Sequence, residues 1–440
     1  MVAASLILAA LLGAPFSPRS VVPVTSAAVT ASVQPAAFNP SATARAHVAK
    51  ITITPAIAGT ATTVIENQTG AIVETLGTAV PVVAATPIEY TWAGTGVADG
   101  VYGIHTTLTD AQGVVSETVV PVTVDTTAPV VSLGALRPAL TKRGPVALRA
   151  ATDDLSGAAS IRVDVASQTD VPIGSADVPV GADGTSGATD WNLRLRKRLL
   201  LPGVFRLRAT ITDRAGNIGT SEARLLRVDR AVTTRVVYSL PDAGNVIALT
   251  FDDCGSNRDF QRIVSAFRAA KAQTTFFCNG VNVRDNTSAD RAAIAAGNTI
   301  GSHTWLHPQM PTLSYGEQMS QIRGDVDAWW KVAKVSPAPF FRPPYGLHDA
   351  TTLRAAGDAG FAWTVLWDVD PSDYLTPPPG ELVQRVVSKA RKGSIVVMHA
   401  NANTAATVPQ LIRALRAQGL EPKSLDQMFG ASAYLAPRGS

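Results

Sequence analysis

Between residues 46 and 231 of the 440-residue chain, short runs rich in Val, Ile and Thr alternate with polar positions and are broken by Gly, Asp and Pro. No stretch there repeats its apolar positions at a helical spacing. This pattern predicts short strands with a side-chain period of two, packed as small β-sandwiches. After residue 240 the pattern changes. Runs apolar on both faces (VIALTF, TTFF, NTIGS, PAPFF, FAWTVLW, SIVVM) alternate with amphipathic stretches. The first stretch, RDFQRIVSAFRAAKAQ, sets Phe260, Ile263, Val264 and Phe267 on one helical stripe. Others fall near 313–334, 349–359, 380–391 and 407–418. Strands buried on both faces and separated by helices predict a parallel sheet closed into a barrel.

The β-rich part contains an internal repeat. GVYGIHTTLTDAQG (100–113) aligns with GVFRLRATITDRAG (203–216), Trp92 and Trp191 precede the two copies, and each copy ends at Val-Asp. The boundary falls at DTTAPVVSL, giving modules at 46–127 and 128–231. In pattern these resemble bacterial immunoglobulin-like domains, with the role of spacers or anchors. Residues 29–45, rich in Pro, Ser, Thr, Ala and Val, read as a linker. The stretch VAASLILAALLGAPF, with small residues around Ser26, Ala27 and Ala28, reads as an export signal over residues 1–28, placing the protein outside the cell or at its wall. No other segment is long and apolar enough for a membrane helix. A formal charge of +4 with no basic tail gives no support to nucleic-acid binding. The basic stretch RLRKRLLLPGVFRLR (194–208) alternates as a half-exposed strand does, and a solvated face is the plainer reading than an anion-binding patch.

Each unusual polar cluster follows directly on one of the apolar runs after residue 240: Asp252-Asp253 after VIALTF, SHTWLH after NTIG, RPPYG after PFF, DVDPSDY after TVLW, and His399 after SIVVM. Barrel enzymes carry their chemistry at the C-terminal ends of the strands, so the five clusters are expected at one mouth. His303 and His307 are four apart, a spacing that puts two imidazoles on one side of a helical turn. With one carboxylate they make a two-His, one-acid metal site with open positions. Successive residues of a strand point to opposite faces, so of Asp252 and Asp253 one can ligate the cation and the other can act as a free base.

The ordered set TFDD, GSHTWLHP, FRPPYG, WDVDPSDY and IVVMH resembles the polysaccharide deacetylase (NodB homology) family, carbohydrate esterases that remove acetyl groups from sugars. The resemblance covers about 185 residues, 246–430. It implies a multidomain chain whose two all-β immunoglobulin-like sandwiches precede an α/β distorted (β/α) barrel at 240–432. It further implies Asp252 as general base, Asp253, His303 and His307 as ligands of a divalent cation (zinc first, cobalt second), and Arg342 as the residue that holds the base. Tyr345 is implied as a backbone oxyanion donor, His399 as general acid, and Asp373, with Asp370 second, as the carboxylate that tunes His399. Trp305, Tyr345, Trp367 and Tyr374 are candidates to stack on a sugar ring or merely to pack. The implied substrate is an acetylated polysaccharide, peptidoglycan or a chitin-like oligomer, acted on by a monomer. An O-acetyl xylan esterase and a non-catalytic glycan-binding protein are the alternatives. Cys254 stands where the family commonly has Gly, and Tyr374 where it often has Trp.

Cys254 and Cys278 are the only cysteines, and each sits just past the end of one of two consecutive strands. Such strands are usually neighbours, which brings the pair within reach of a disulfide. Two free buried thiols, or a thiolate competing for the metal, are the other readings.

Overall fold

The computed structural model describes residues 28–41, 48–136 and 145–437. Of the stretch expected as an export signal, all but Ala28 lies outside the described residues. Residues 29–45, expected as a linker, instead supply two strands. Val29–Gln34 pairs antiparallel with Ala49–Pro55, and Ala37–Phe38 pairs parallel with Val115–Val124. Alternating Val, Ser, Thr and Ala suit an edge strand as well as a linker, and here a neighbouring strand and a buried slot for Phe38 beside Trp92 decide between them. The first β unit thus has a three-stranded and a five-stranded sheet around Phe38, Ile51, Ile53, Trp92, Ile104 and Leu108.

The second β unit is built the same way, with Val130–Leu133, Val146–Asp153 and Ser186–Trp191 in one sheet and the long strand Gly203–Asp213 central to the other. The sequence repeat corresponds to equivalent strands, Gly100–Thr109 and Gly203–Asp213. Asp110 and Asp213 close the following turns alike, each accepting from the backbone N–H four residues on at 2.8 Å. At the joint between the units Asp125 accepts from Ser156 N–H at 3.1 Å, and Asn217 donates to the Asp125 carbonyl at 3.0 Å.

The C-terminal part is a parallel, distorted α/β barrel. Its strands are β1 (Arg235–Val237), β2 (Val246–Asp253), β3 (Thr275–Cys278), β4 (Thr299–Ser302), β5 (Phe340–Phe341), β6 (Trp363–Val365), β7 (Ile395–His399) and β8 (Glu421–Pro422). The sheet runs β1-β6-β5-β4-β3-β2-β7, with β8 on the start of β2. The ends of the sheet meet through single bridges, Ser239 to Ser394 and Val369 to Val396, so the ring is incomplete as a ladder. β2 and β7 are both short of exposed surface because each reads as an uninterrupted apolar run. The helices are α1 (Asn257–Ala269), α2 (Gly280–Asp285), α3 (Thr287–Ala295), α4 (Tyr315–Ala333), α5 (Ala350–Asp358), α6 (Pro379–Val387), α7 (Ala402–Ala417) and α8 (Leu425–Phe429). In α1 the expected stripe of Phe260, Ile263, Val264 and Phe267 is the buried face, and Ser256 caps the start. α7 starts five residues before the apolar pattern that betrays it (402 against 407), where Asn401 accepts from Thr404 N–H.

α8 plugs the N-terminal end of the barrel. The Leu425 and Asp426 N–H groups donate to Thr275 and Thr299, which start β3 and β4, and Phe429 packs on Trp363 and Phe340. The second β unit closes over that plug. Tyr434 lies edge-on to Phe205 at 5.5 Å, Asp426 accepts from both Tyr434 and Thr169, and Arg198 donates to the Leu435 and Ala436 carbonyls. One continuous core therefore runs from Val163, Phe205 and Leu207 through Phe429 and Tyr434 to Phe340 and Val365. The second β unit, expected like the first as a spacer or anchor, is packed into the barrel's base.

Phe205→Ala should accordingly cost about 3–5 kcal/mol, as for other large-to-small core changes. In thermal unfolding followed at the barrel's tryptophans, it should lower the midpoint of the C-terminal part as well. Unfolding of the barrel at an unchanged temperature would show that the shared core carries no stability across the boundary.

Candidate active site

The C-terminal ends of β2, β4, β5, β6 and β7 bring the five clusters to one mouth. Asp252, Asp253, His303, His307, Tyr345, Trp367, Asp370, Tyr374, Val397 and His399 line a cavity of about 460 Å³ there. Adjacent strands set the two halves of the site side by side, because Asp252 on β2 is the register partner of His399 on β7.

The strand pleat separates the two aspartates. Asp252 is buried and points toward Arg342, whose Nη1 donates to its Oδ1 at 2.7 Å. Asp253 ends the strand in a left-handed backbone (φ 68°) that turns its carboxylate toward the histidines. Its Oδ1 lies 3.5 Å from His307 Nε2 and 3.7 Å from His303 Nε2, and it is buried with no hydrogen-bond partner. The two histidines do not share a helical turn as their spacing predicts. They lie on a loop in which Thr304 and His307 have φ of 69° and 61°, and that loop folds the imidazoles to 4.9 Å from each other. His303 Nδ1 donates to the Arg342 carbonyl at 2.8 Å, which leaves Nε2 as the ring's lone pair. Burial, and then the His303 charge, pull the His307 imidazole below its ordinary value, which favours the neutral form a ligand needs.

Three ligand atoms within 4.8 Å of one another, one of them an orphaned buried carboxylate oxygen, fit a divalent ion. The donor set of two imidazoles and one carboxylate suits zinc or cobalt and leaves positions open.

Arg342 has no exposed surface. Burial pulls its guanidinium down, and the Asp252 charge opposes that shift. Its Nε donates to the Val365 carbonyl and its Nη1 also to Thr250 Oγ1, so β2, β5 and β6 are joined through one side chain. Trp367, 5.5 Å from the guanidinium, lies over Gly346, where a side chain would meet the indole at 3.0 Å.

On the opposite wall His399 Nδ1 lies 2.8 Å from Asp373 Oδ1. Burial opposes the imidazolium, but the hydrogen bond to Asp373 and the charges of Asp252, Asp373 and Asp253 prevail and push His399 up to about 9. Asp373 is held by groups that the sequence reading missed: Thr404 Oγ1 at 2.5 Å, Asn401 Nδ2 at 3.3 Å and His399 N–H at 2.7 Å. Two of them start α7, whose N-terminus favours an anion, and the N-x-x-T spacing of a helix cap was the available signal. Asp370 lines the cavity but accepts from Ser372 N–H, so of the two candidates only Asp373 pairs with His399.

Tyr345, Trp367 and Tyr374 line the cavity, and Tyr345, Leu306, Leu347, Tyr374 and Leu375 leave large apolar side chains exposed around these loops. Trp305 does not line it. Its ring packs on Gly280, where a Cβ would come within 2.4 Å, and beneath Arg284. Of the two readings of Trp305, stacking on a sugar or packing, its contacts with Gly280 and Arg284 favour packing. The cysteines are joined: Cys254 and Cys278 form a disulfide with Cα atoms 5.0 Å apart, across the β2–β3 register pair Asp253–Cys278.

A family model described as polysaccharide deacetylase matches residues 240–363. The peptidoglycan-N-acetylglucosamine deacetylase PgdA of Listeria monocytogenes is 31% identical over 185 residues, 42% of this chain and 39% of that protein. A peptidoglycan-N-acetylglucosamine deacetylase of Bacillus cereus is 31% identical over 201 residues, 44% of this chain and 93% of that protein. The chain thus spans about two fifths of the Listeria protein's length and nearly all of the Bacillus cereus one. Among solved structures, a carbohydrate esterase family 4 pseudoenzyme from Bacillus anthracis is 26% identical with a TM-score of 0.43, covering 45% of this chain and 69% of its own.

In the metal-free protein the His399 imidazole should titrate by NMR near pH 9. A raised folded value means that this group's contribution to stability is full below about 6.5 and is lost as pH rises through about 9. Asp373→Asn should bring the titration down toward the ordinary value; a midpoint that stays put would remove Asp373 as the cause.

Proposed function

Because this chain belongs to the polysaccharide deacetylase family, we propose that it hydrolyses N-acetyl groups of N-acetylglucosamine-containing glycans, releasing acetate and a free amine. Peptidoglycan is the first substrate proposed and chitin-like oligomers the second. Membership alone does not carry the reading, since a structurally similar chain is described as a pseudoenzyme. What carries it is that the metal triad, the Asp252–Arg342 pair and the His399–Asp373 pair all converge on one cavity.

Asp253, His303 and His307 would hold the divalent ion, which would supply Lewis acidity toward the acetyl carbonyl and a water. The chain's own groups divide the remaining work. Asp252, held by Arg342 at 2.7 Å, takes a proton from the attacking water as its oxygen bonds to the carbonyl carbon. The Tyr345 backbone, left-handed at φ 60° on the cavity wall, is the proposed site of an N–H donor to the resulting oxyanion. The C–N bond then breaks, and protonated His399 gives its proton to the departing amine nitrogen. Trp367 and Tyr374 offer apolar faces to the sugar.

We also propose that the protein is exported and works at or near a cell wall as a monomer. Support comes from the apolar N-terminal stretch and the acetylated glycan that the site would take. No helix among the described residues is long and apolar enough to cross a membrane. The immunoglobulin-like reading of the two β units rests on their sequence pattern and their two-sheet packing.

Asp253→Ala should lose both bound metal and activity. Asp252→Asn should keep the metal while losing about 10²–10⁴ in rate, the size of a general-base effect. Metal content by elemental analysis decides the assignment, because an empty Asp252→Asn site beside a loaded Asp253→Ala site reverses the two roles. Acetate release should be seen from N-acetylglucosamine oligomers and not from acetylated xylan. Turnover of xylan alone would make the protein an O-acetyl esterase, and turnover of neither would point to a binding protein.

A further inference from the structure

The six-residue helix α2 has no place in the reaction, yet it touches both loops that carry the proposed metal ligands. Its asparagines recur at i, i+3 and i+7 in CNGVNVRDN, which puts Asn279, Asn282 and Asn286 along one side. Each donates its amide to a backbone carbonyl beside the metal site. Asn282 Nδ2 reaches the Asp253 carbonyl at 2.7 Å, Asn286 Nδ2 the Cys254 carbonyl at 2.7 Å, and Asn279 Nδ2 the His303 carbonyl at 2.8 Å. The helix's first N–H groups add two more, Gly280 to the Thr304 carbonyl at 2.9 Å and Val281 to the Trp305 carbonyl at 3.2 Å. Five carbonyls, from two loops 50 residues apart in sequence (253–254 and 303–305), are thus held by one short element.

These are the segments whose backbone is least able to hold itself. Asp253, Cys254 and Thr304 all have φ between 56° and 69°, where a side chain is unfavourable and the surroundings must impose the conformation. At Cys254, with φ 56°, nothing intrinsic to the residue favours that backbone. The disulfide to Cys278 anchors it from one side and Asn286 from the other. α2 is packed closely against its neighbours at its start, where a Cβ on Gly280 would meet the Trp305 ring and the α4 backbone at Asp325.

We propose that the asparagine face of α2 is a positioning clamp for the metal centre, with Asn282 and Asn286 fixing the peptide planes that aim the Asp253 carboxylate at His303 and His307. The proposal rests on the metal-centre reading above and extends it to residues outside the ligand set. Rotation of the Asp253 peptide would swing a carboxylate that must lie within a few tenths of an ångström of its place for tight binding.

The test is zinc affinity of the full chain, by competition with a chelating dye, for wild type, Asn282→Leu, Asn286→Ala and the exposed control Arg284→Ala. Asn282 is half-buried, so leucine keeps bulk while removing the donor. Asn282→Leu and Asn286→Ala should each bind zinc about 10–100-fold more weakly, the range seen when partners of metal ligands are removed. Their cobalt-loaded spectra should change in the visible bands, whereas the metal-free unfolding midpoint should stay near wild type. Arg284→Ala should match wild type in all three. Wild-type zinc affinity and cobalt spectra in both asparagine variants overturn the clamp. So does an equal loss in Arg284→Ala, which would mean that the helix merely contributes stability. A wild-type chain that takes up no zinc overturns instead the metal-centre reading beneath it.

Discussion

Arg342 carries a charge with no exposed surface, 2.7 Å from the carboxylate of Asp252, which is itself buried. An ion pair so placed is a liability unless every donor is used, because each ion has lost its hydration. Here the guanidinium also bonds the Val365 and Leu366 carbonyls and the Thr250 hydroxyl, and its face rests on Phe277 at 4.1 Å. Its own carbonyl receives His303 Nδ1. One residue at the end of a two-residue strand thus fixes Asp252, the tautomer of His303 and the spacing of β2, β5 and β6. Losing either partner would leave an unpaired buried charge, a change that costs about 3–5 kcal/mol in comparable cases.

Much of this was legible in the sequence because strands buried on both faces are long apolar runs, and chemistry placed at their ends is conspicuous against them. Asp252, Asp253, His303, His307 and His399 stand out in that way. What stayed hidden has local physical causes. The loop holding His303 and His307 takes a left-handed path that no spacing rule records, so a helical turn was read in its place. α7 begins with small polar residues that carry no amphipathic signal, and the cap that orients Asp373 was overlooked with it. Val29–Gln34 has the composition of a linker and is a strand only because Ala49–Pro55 lies beside it. Trp305 sits in a catalytic motif but faces Gly280, and nothing in its neighbours' identities announces the direction of the ring.

The two β units also differ in standing although their sequences repeat. The first keeps a core of its own around Trp92. The second completes its core with Phe429, which ends the last barrel helix, and with Tyr434 and Leu435, which follow it. Asp426 lies buried in that seam, where burial pushes its pKa upward against the pull of Thr169 and Tyr434.

That seam also fixes which way the cavity faces. α8 plugs the barrel at the strand starts while the reacting groups stand at the strand ends, so the second β unit and the cavity lie at opposite poles of the barrel. Because that boundary is a packed core, the barrel cannot swivel against the second β unit, and the direction in which the mouth opens is set by how that unit is oriented.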